Sequence, residues 1–144
     1  MTAQQLDISL IIACYNGGGR IGATLCSLLG QTLSAERWEA VVVDNNSSDN
    51  TAEVVEGFIA AHPEVRVRLV SESKQGLSHA RNCGIDNSSG AIVAIIDDDE
   101  LAAPTLLADY VAFFDCNILG YQDTFWGRSS ESRVYVKDCY VEGN

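Results

Sequence analysis

Ala40-Val41-Val42-Val43-Asp44-Asn45-Asn46-Ser47-Ser48-Asp49-Asn50-Thr51 is the stretch that decides the fold. A β-branched apolar run stops at an aspartate. A polar loop follows, in which Ser48 or Asp49 is placed to cap a helix through Ala61. His62-Pro63 ends that helix, because the residue before a proline avoids the helical region. The same order recurs on either side. Upstream, Ile8 to Ala13 is an apolar run of strand length, and Ile21 to Gln31 places Ile21, Leu25, Leu28 and Leu29 at helical spacing. Downstream, Val65 to Val70 alternates as a strand, and Leu77 to Asn87 is a helix closed by Asn87-Ser88-Ser89-Gly90. Ala91 to Ile96 is an apolar strand running into Asp97-Asp98-Asp99-Glu100, and Pro104 suits the first turn of a helix through Phe114.

Near-continuously apolar strands that alternate with helices predict a three-layer α/β sandwich with a mostly parallel sheet covered on both faces. Ligands of such sheets bind outside the carboxyl ends of the strands. The polar clusters Tyr15-Asn16, Asp44 to Asp49 and Asp97 to Glu100 all fall at those ends, so separate parts of the chain meet on one rim. Residues 1–115 are expected to form this unit. Residues 116–144 lack periodicity and read as an atypical tail, with Val134 to Val136 and Cys139 to Val141 as candidate short strands.

A chain of 144 residues suits one domain, and 47% apolar with 20% charged residues is ordinary globular composition. With 20 acidic and 9 basic side chains the net charge is -11, which repels a phosphate backbone and argues against nucleic acid as partner. An anionic ligand then needs a metal ion or backbone amides to mediate. The 5 cysteines, Cys14, Cys26, Cys83, Cys116 and Cys139, form no Cys-x-x-Cys pair, so neither a zinc site nor a disulfide framework is expected. No segment has the apolar length of a membrane span, and Met1 to Asp7 lacks the order of a signal peptide. The expected location is cytoplasmic, with peripheral attachment to the inner face of the membrane as the alternative.

Gly17-Gly18-Gly19-Arg20-Ile21-Gly22 satisfies G-x-G-x-x-G between a strand and a helix, and Asp44 ends the next strand. A dinucleotide-binding (Rossmann-like) oxidoreductase domain is therefore an alternative. Against it, Cys14-Tyr15-Asn16 intervene between the strand and the first glycine, and the acidic run at Asp97 has no use in that reading. Three adjacent carboxylates, Asp97, Asp98 and Asp99, repel one another and call for solvent or a cation. On an extended segment Asp97 and Asp99 point the same way and suit a divalent metal such as Mn2+ or Mg2+. The middle one points elsewhere and could reach a ribose hydroxyl. A solvated acidic loop with a capping aspartate is the alternative.

Four blocks in order resemble family 2 glycosyltransferases of the A-type (GT-A) fold. They are Cys14-Tyr15-Asn16 with the helix Thr24 to Thr32, then Val41 to Thr51, then Gln75-Gly76-Leu77-Ser78-His79-Ala80-Arg81-Asn82, then Ile95 to Glu100. The resemblance covers roughly Ile8 to Phe114. It implies the nucleotide-binding half of an inverting transferase that takes a nucleotide-diphosphate sugar, with a UDP-sugar the commonest expectation and the acceptor unknown. It implies nucleotide contacts from Ala13, Tyr15, Asn16 and Asp44, close backbone approach at Gly76, and Arg81 reaching the base or the diphosphate. It further implies ribose contact from Asp98 and metal contact from Asp99 with Asp97. Ser47 and Asp49 read as loop-shaping, and His79 as packed against the sheet.

In that family a carboxylate base deprotonates the acceptor hydroxyl, and it lies in the second half of the domain. The tail shows no such segment. Glu131, Asp138 and Glu142 are among its acidic residues of the right chemical kind, and the catalytic residue is left unassigned. The chain reads as apparently truncated, by truncation or frameshift. A natural non-catalytic nucleotide-binding remnant, or a small enzyme completed by a partner chain, are the alternatives. A truncated core would leave apolar surface uncovered and favour self-association.

Overall fold

The computed structural model describes residues 5–115 and 133–136. Strand β1 (Ile8–Cys14) leads to helix α1 (Ile21–Ser27), which tightens into a 3-10 turn over Leu28–Gly30. Then follow β2 (Trp38–Asp44), α2 (Thr51–Ala61), β3 (Val67–Ser71), α3 (Leu77–Asp86), β4 (Ile92–Asp97), α4 (Leu106–Asp115) and β5 (Arg133–Val136). The sheet order is β3-β2-β1-β4-β5. The first four strands are parallel, and β5 pairs antiparallel with β4 at the edge. Strand β5 matches the run expected at Val134 to Val136, whereas Cys139 to Val141 lies outside the described residues.

Period-two alternation sorts the strand residues between two cores. Ile8, Leu10, Ile12, Ala40, Val42, Ala94 and Ile96 face α1, α2 and α4 together with Ile21, Leu25, Val55, Phe58 and Leu107. Ile11, Val41, Val43, Val93 and Ile95 face α3, against Ala80, Cys83 and Ile85. Each fully buried aliphatic side chain contributes about 1.5–3 kcal/mol. Gly84 lets α3 approach closely, since a Cβ there would lie 2.4 Å from Ile11 Cγ2.

Among the boundaries that differ from the sequence expectation are those of β3 and α4. Residues 63–66 form a turn in which Val65 N–H donates to His62 O at 3.3 Å, so β3 starts at Val67 rather than Val65. Pro104 precedes α4 instead of occupying its first turn. Its carbonyl accepts from Thr32 N–H at 2.8 Å and ties it to the end of the 3-10 segment.

β1 is followed on one side by β2 and β3, and the chain then crosses back to place β4 on the other side. This reversal opens a crevice at the carboxyl ends of β1 and its neighbours. The register sets Cys14, Asp44 and Ser71 in one row, with Asp97 level with Ala13.

Candidate functional site

The rim is built from loops that satisfy one another. After β1 the backbone turns through Asn16, whose φ is 48°, and after β2 through Asn46, at φ 59°. Asparagine tolerates this left-handed region better than most residues. Asn16 N–H donates to Ser47 Oγ at 2.9 Å, and Asn16 Oδ1 accepts from Ser48 N–H at 2.8 Å. Asp44 Oδ1 accepts from Ser47 N–H at 3.1 Å, which closes the second loop on itself. Asn45, 4% exposed, holds the third loop. Its Nδ2 donates to Glu72 O at 3.1 Å and Lys74 O at 2.9 Å, and its Oδ1 accepts from Gly76 N–H at 2.9 Å.

Gly76 opens α3 at φ 139°, a conformation that glycine alone adopts without strain. Above it lies a cleft of about 220 Å³ lined by Ala13, Cys14, Tyr15, Asn45, Gln75, Gly76, Leu77 and Ala80. Tyr15 and Leu77, two of the large apolar side chains left exposed among the described residues, stand at its walls. The volume suits one ring system rather than a whole nucleotide sugar.

At the end of β4 the alternation splits the acidic run. Asp97 falls on the α3 side, where Arg81 Nη2 lies 3.5 Å from its Oδ1. The Arg81 side chain is only 16% exposed, and its buried Nε has no hydrogen-bond partner among the described residues. Asp98 falls on the α1 side and is buried, at 9% exposure. Its carboxylate accepts from Arg20 Nη2 at 2.8 Å and Nε at 3.3 Å, and from Cys14 Sγ at 3.1 Å. Burial first, and then the hydrogen bond to Asp98, push the Cys14 thiol up to about 12, so it stays a protonated donor. Asp99 is exposed and has no ion pair among the described residues.

Of the residues expected to hold nucleotide, Ala13, Tyr15 and Gly76 line the cleft. Asn16 stands in the loop after β1, Asp44 ends β2, and Arg81 reaches Asp97 from α3. Asp98, the residue expected to meet a ribose, is turned toward α1. Inward alternation commits both of its oxygens to Arg20 and Cys14. Asn45, Gln75, Leu77 and Ala80 also line the cleft, although the sequence reading assigns them no place in the site. The sequence signal for Asn45 was its place directly after a strand-ending aspartate, which reads equally well as ordinary loop. The tail acids Glu131, Asp138 and Glu142 lie outside the described residues.

Among the described residues no three His, Cys, Asp or Glu side chains converge as a metal cage. Two carboxylates at a strand end fit the mode in which a hard divalent ion takes its other ligands from phosphate and water. Two amides of the glycine-rich turn are committed within the chain. Gly17 N–H donates to Thr51 Oγ1 at 3.0 Å and Gly18 N–H to Asp49 Oδ2 at 3.0 Å. A carboxylate thus sits against this turn, which counts against the Rossmann-like alternative.

A parallel α/β sheet of this order, with a cleft and an acidic turn at its carboxyl rim, has the GT-A architecture of nucleotide-sugar transferases. The model of "Glycosyl transferase family 2" matches residues 9–138, and the chain belongs to that family. The match runs past the boundary expected near residue 115. Over 99 residues the chain is 38% identical to glycosyltransferase AglE of Haloferax volcanii, covering 69% of this chain and 32% of that protein. The mannosyltransferase PcManGT of Pyrobaculum calidifontis, solved with GDP-Man and Mn2+, superposes with a TM-score of 0.74 at 30% identity, over 81% of this chain and 34% of that one. TarS of S. aureus superposes with a TM-score of 0.69 at 28% identity, over 76% and 20%. The chain therefore spans about a third or less of the length of these relatives. Among the described residues no helix is long and apolar enough to cross a membrane.

Proposed function

We propose that this chain binds the nucleoside diphosphate of a sugar donor and contributes the donor half of a glycosyl transfer. The carrying observation is the cleft at the carboxyl ends of β1 and β2, walled by Tyr15 and Leu77 and adjoining the pair Arg81–Asp97. The base lies in the cleft against Ala13, Tyr15 and Gly76, whose missing Cβ lets the ring approach the backbone. Asn16 holds the flanking loops, and the Asp44 carboxylate receives an imide N–H or a hydroxyl. Arg81 supplies donors to the diphosphate. Asp97 and Asp99 would hold Mn2+ or Mg2+, which when bound supplies Lewis-acid stabilisation of the departing diphosphate. The ribose falls to Asp44 and Asp97, since Asp98 is turned away. Uridine is the base we favour. A solved relative carries GDP-Man with Mn2+, which supports the nucleotide-sugar class and leaves guanosine as the competitor.

Thermal-shift titration with uridine, guanosine and thymidine diphosphates, each with and without manganese, tests this reading, with NAD as control. A ligand at 100 times its Kd stabilises by about 2.7 kcal/mol, a readily visible shift. A metal-dependent shift with one diphosphate is the expected result and identifies the base. A cooperative melt unmoved by any diphosphate would overturn the proposal.

A further inference from the structure

Three side chains converge on Asp98. Arg20 forks onto its carboxylate at 2.8 and 3.3 Å, Cys14 Sγ donates at 3.1 Å, and Thr24 Oγ1 donates to its backbone carbonyl at 2.8 Å. Gly17 belongs to the same knot, because a Cβ there would lie 2.4 Å from Asp98 Oδ2 and 2.3 Å from Cys14 Sγ. The half-exposed Arg20 also reaches back to its own loop, with Nη1 at 3.4 Å from Asn16 O and Nη2 at 3.5 Å from Tyr15 O. One guanidinium thus joins the loop that carries Tyr15 and Asn16 to the turn that carries Asp97 and Asp99. Without it, a nearly buried carboxylate between two others would have no counter-charge and would keep only the Cys14 thiol as side-chain donor. It would have to swing into water and carry the turn with it.

We propose that Arg20 is a positioning residue of the nucleotide site that acts through Asp98. The pair fixes the middle carboxylate inward, which leaves Asp97 on the cleft side and Asp99 at the surface. It also keeps the Tyr15-Asn16 loop docked on the acidic turn. The clamp itself stands on the geometry above, and its consequence for ligand rests on the proposed function.

The 144-residue chain is compared with Arg20→Met, Arg20→Lys, Asp98→Asn and the double variant Arg20→Met/Asp98→Asn. Hydrogen–deuterium exchange is followed in peptides covering residues 13–18 and 97–101. Arg20→Met is expected to speed exchange in both segments about tenfold while β2 and β3 stay protected. Arg20→Lys recovers only part of the protection, because an ammonium cannot fork onto a carboxylate. Calorimetry with uridine diphosphate and manganese should show an affinity loss of about tenfold for Arg20→Met. In the Asp98→Asn background the same change should cost less than about twofold, the coupling expected of two residues that act as a unit. Unchanged exchange in the two segments overturns the clamp. An undiminished loss in the Asp98→Asn background also overturns it, since Arg20 would then touch the diphosphate directly. If the parent chain binds no diphosphate, the functional proposal fails while the exchange experiment still decides the clamp.

Discussion

Asp49 shows how much one carboxylate organises. Its Oδ1 accepts the Thr51 N–H at 3.0 Å and the Thr51 hydroxyl, and its Oδ2 accepts the Gly18 N–H at 3.0 Å. The Thr51 oxygen in turn accepts the Gly17 N–H. The first amide of α2 and the glycine-rich turn are therefore held by one side chain, while the N-cap residue Asn50 makes no side-chain cap bond. The Thr51 hydroxyl first, and the Gly18 amide next, hold the Asp49 carboxyl below its ordinary value of 3.8. A depressed folded-state value means that ionisation favours the fold. The stabilisation is complete above 3.8 and is lost as the pH falls through the lower folded value. Asp49→Asn should lower the melting temperature at pH 7, and the gap to the parent chain should close as the pH is taken below 3.8. Melting curves across that range check this. A gap independent of pH would show that shape, not charge, is what matters at this position.

Between elements, the same economy recurs in Asn45, which spends both amide hydrogens and its oxygen on the segment from Glu72 to Gly76. Its removal leaves two carbonyls and one amide to find water at the edge of the cleft. Asn45→Ala is expected to cost about 2 kcal/mol, in line with several net hydrogen bonds of about 0.5–1.5 kcal/mol each. It should also weaken diphosphate binding, because the position of Gly76 is no longer fixed. Asn45→Asp should rescue neither effect, since a carboxylate cannot donate. Urea unfolding and calorimetry measure the two effects, and recovery of either by Asn45→Asp would show that the donors are not needed. This is also where legibility in the sequence stopped. The apolar runs and helical spacings gave the element order and the parallel sheet, because burial on two faces imposes a pattern on neighbours in the chain. Bonds from Asn45 to Lys74, or from Arg20 to Asp98, join residues that the topology brings together, and nothing local marks them. The inward turn of Asp98 is hidden in the sequence for that reason, since it depends on an arginine 78 positions away.

Over the whole molecule, the sheet divides its work between its two ends. The carboxyl ends of the strands hold the cleft and the acidic turn, while the amino ends hold a second polar knot centred on Glu39. This carboxylate is 1% exposed on an interior strand. Its Oε1 accepts from Ser9 Oγ at 2.7 Å and Ser89 N–H at 2.8 Å, and Arg68 pairs with its Oε2 at 3.1 Å. Ser9 Oγ also accepts the Gly90 N–H at 2.8 Å, so the knot fastens the turn that feeds β4. Breaking a buried pair by removing one partner usually costs about 3–5 kcal/mol. Here Arg68 is 39% exposed and can return to water, so Glu39→Ala should lie at the lower end, at about 3 kcal/mol. The knot is a strand's length from the cleft, and distant sites add independently. Glu39→Ala should therefore lower the urea midpoint while the diphosphate dissociation constant stays within about twofold, a margin expected of uncoupled sites. A parallel loss of affinity in the folded variant would mean that the two ends of the sheet are coupled through β1 and β4, and the separation of stability from binding argued here would be wrong.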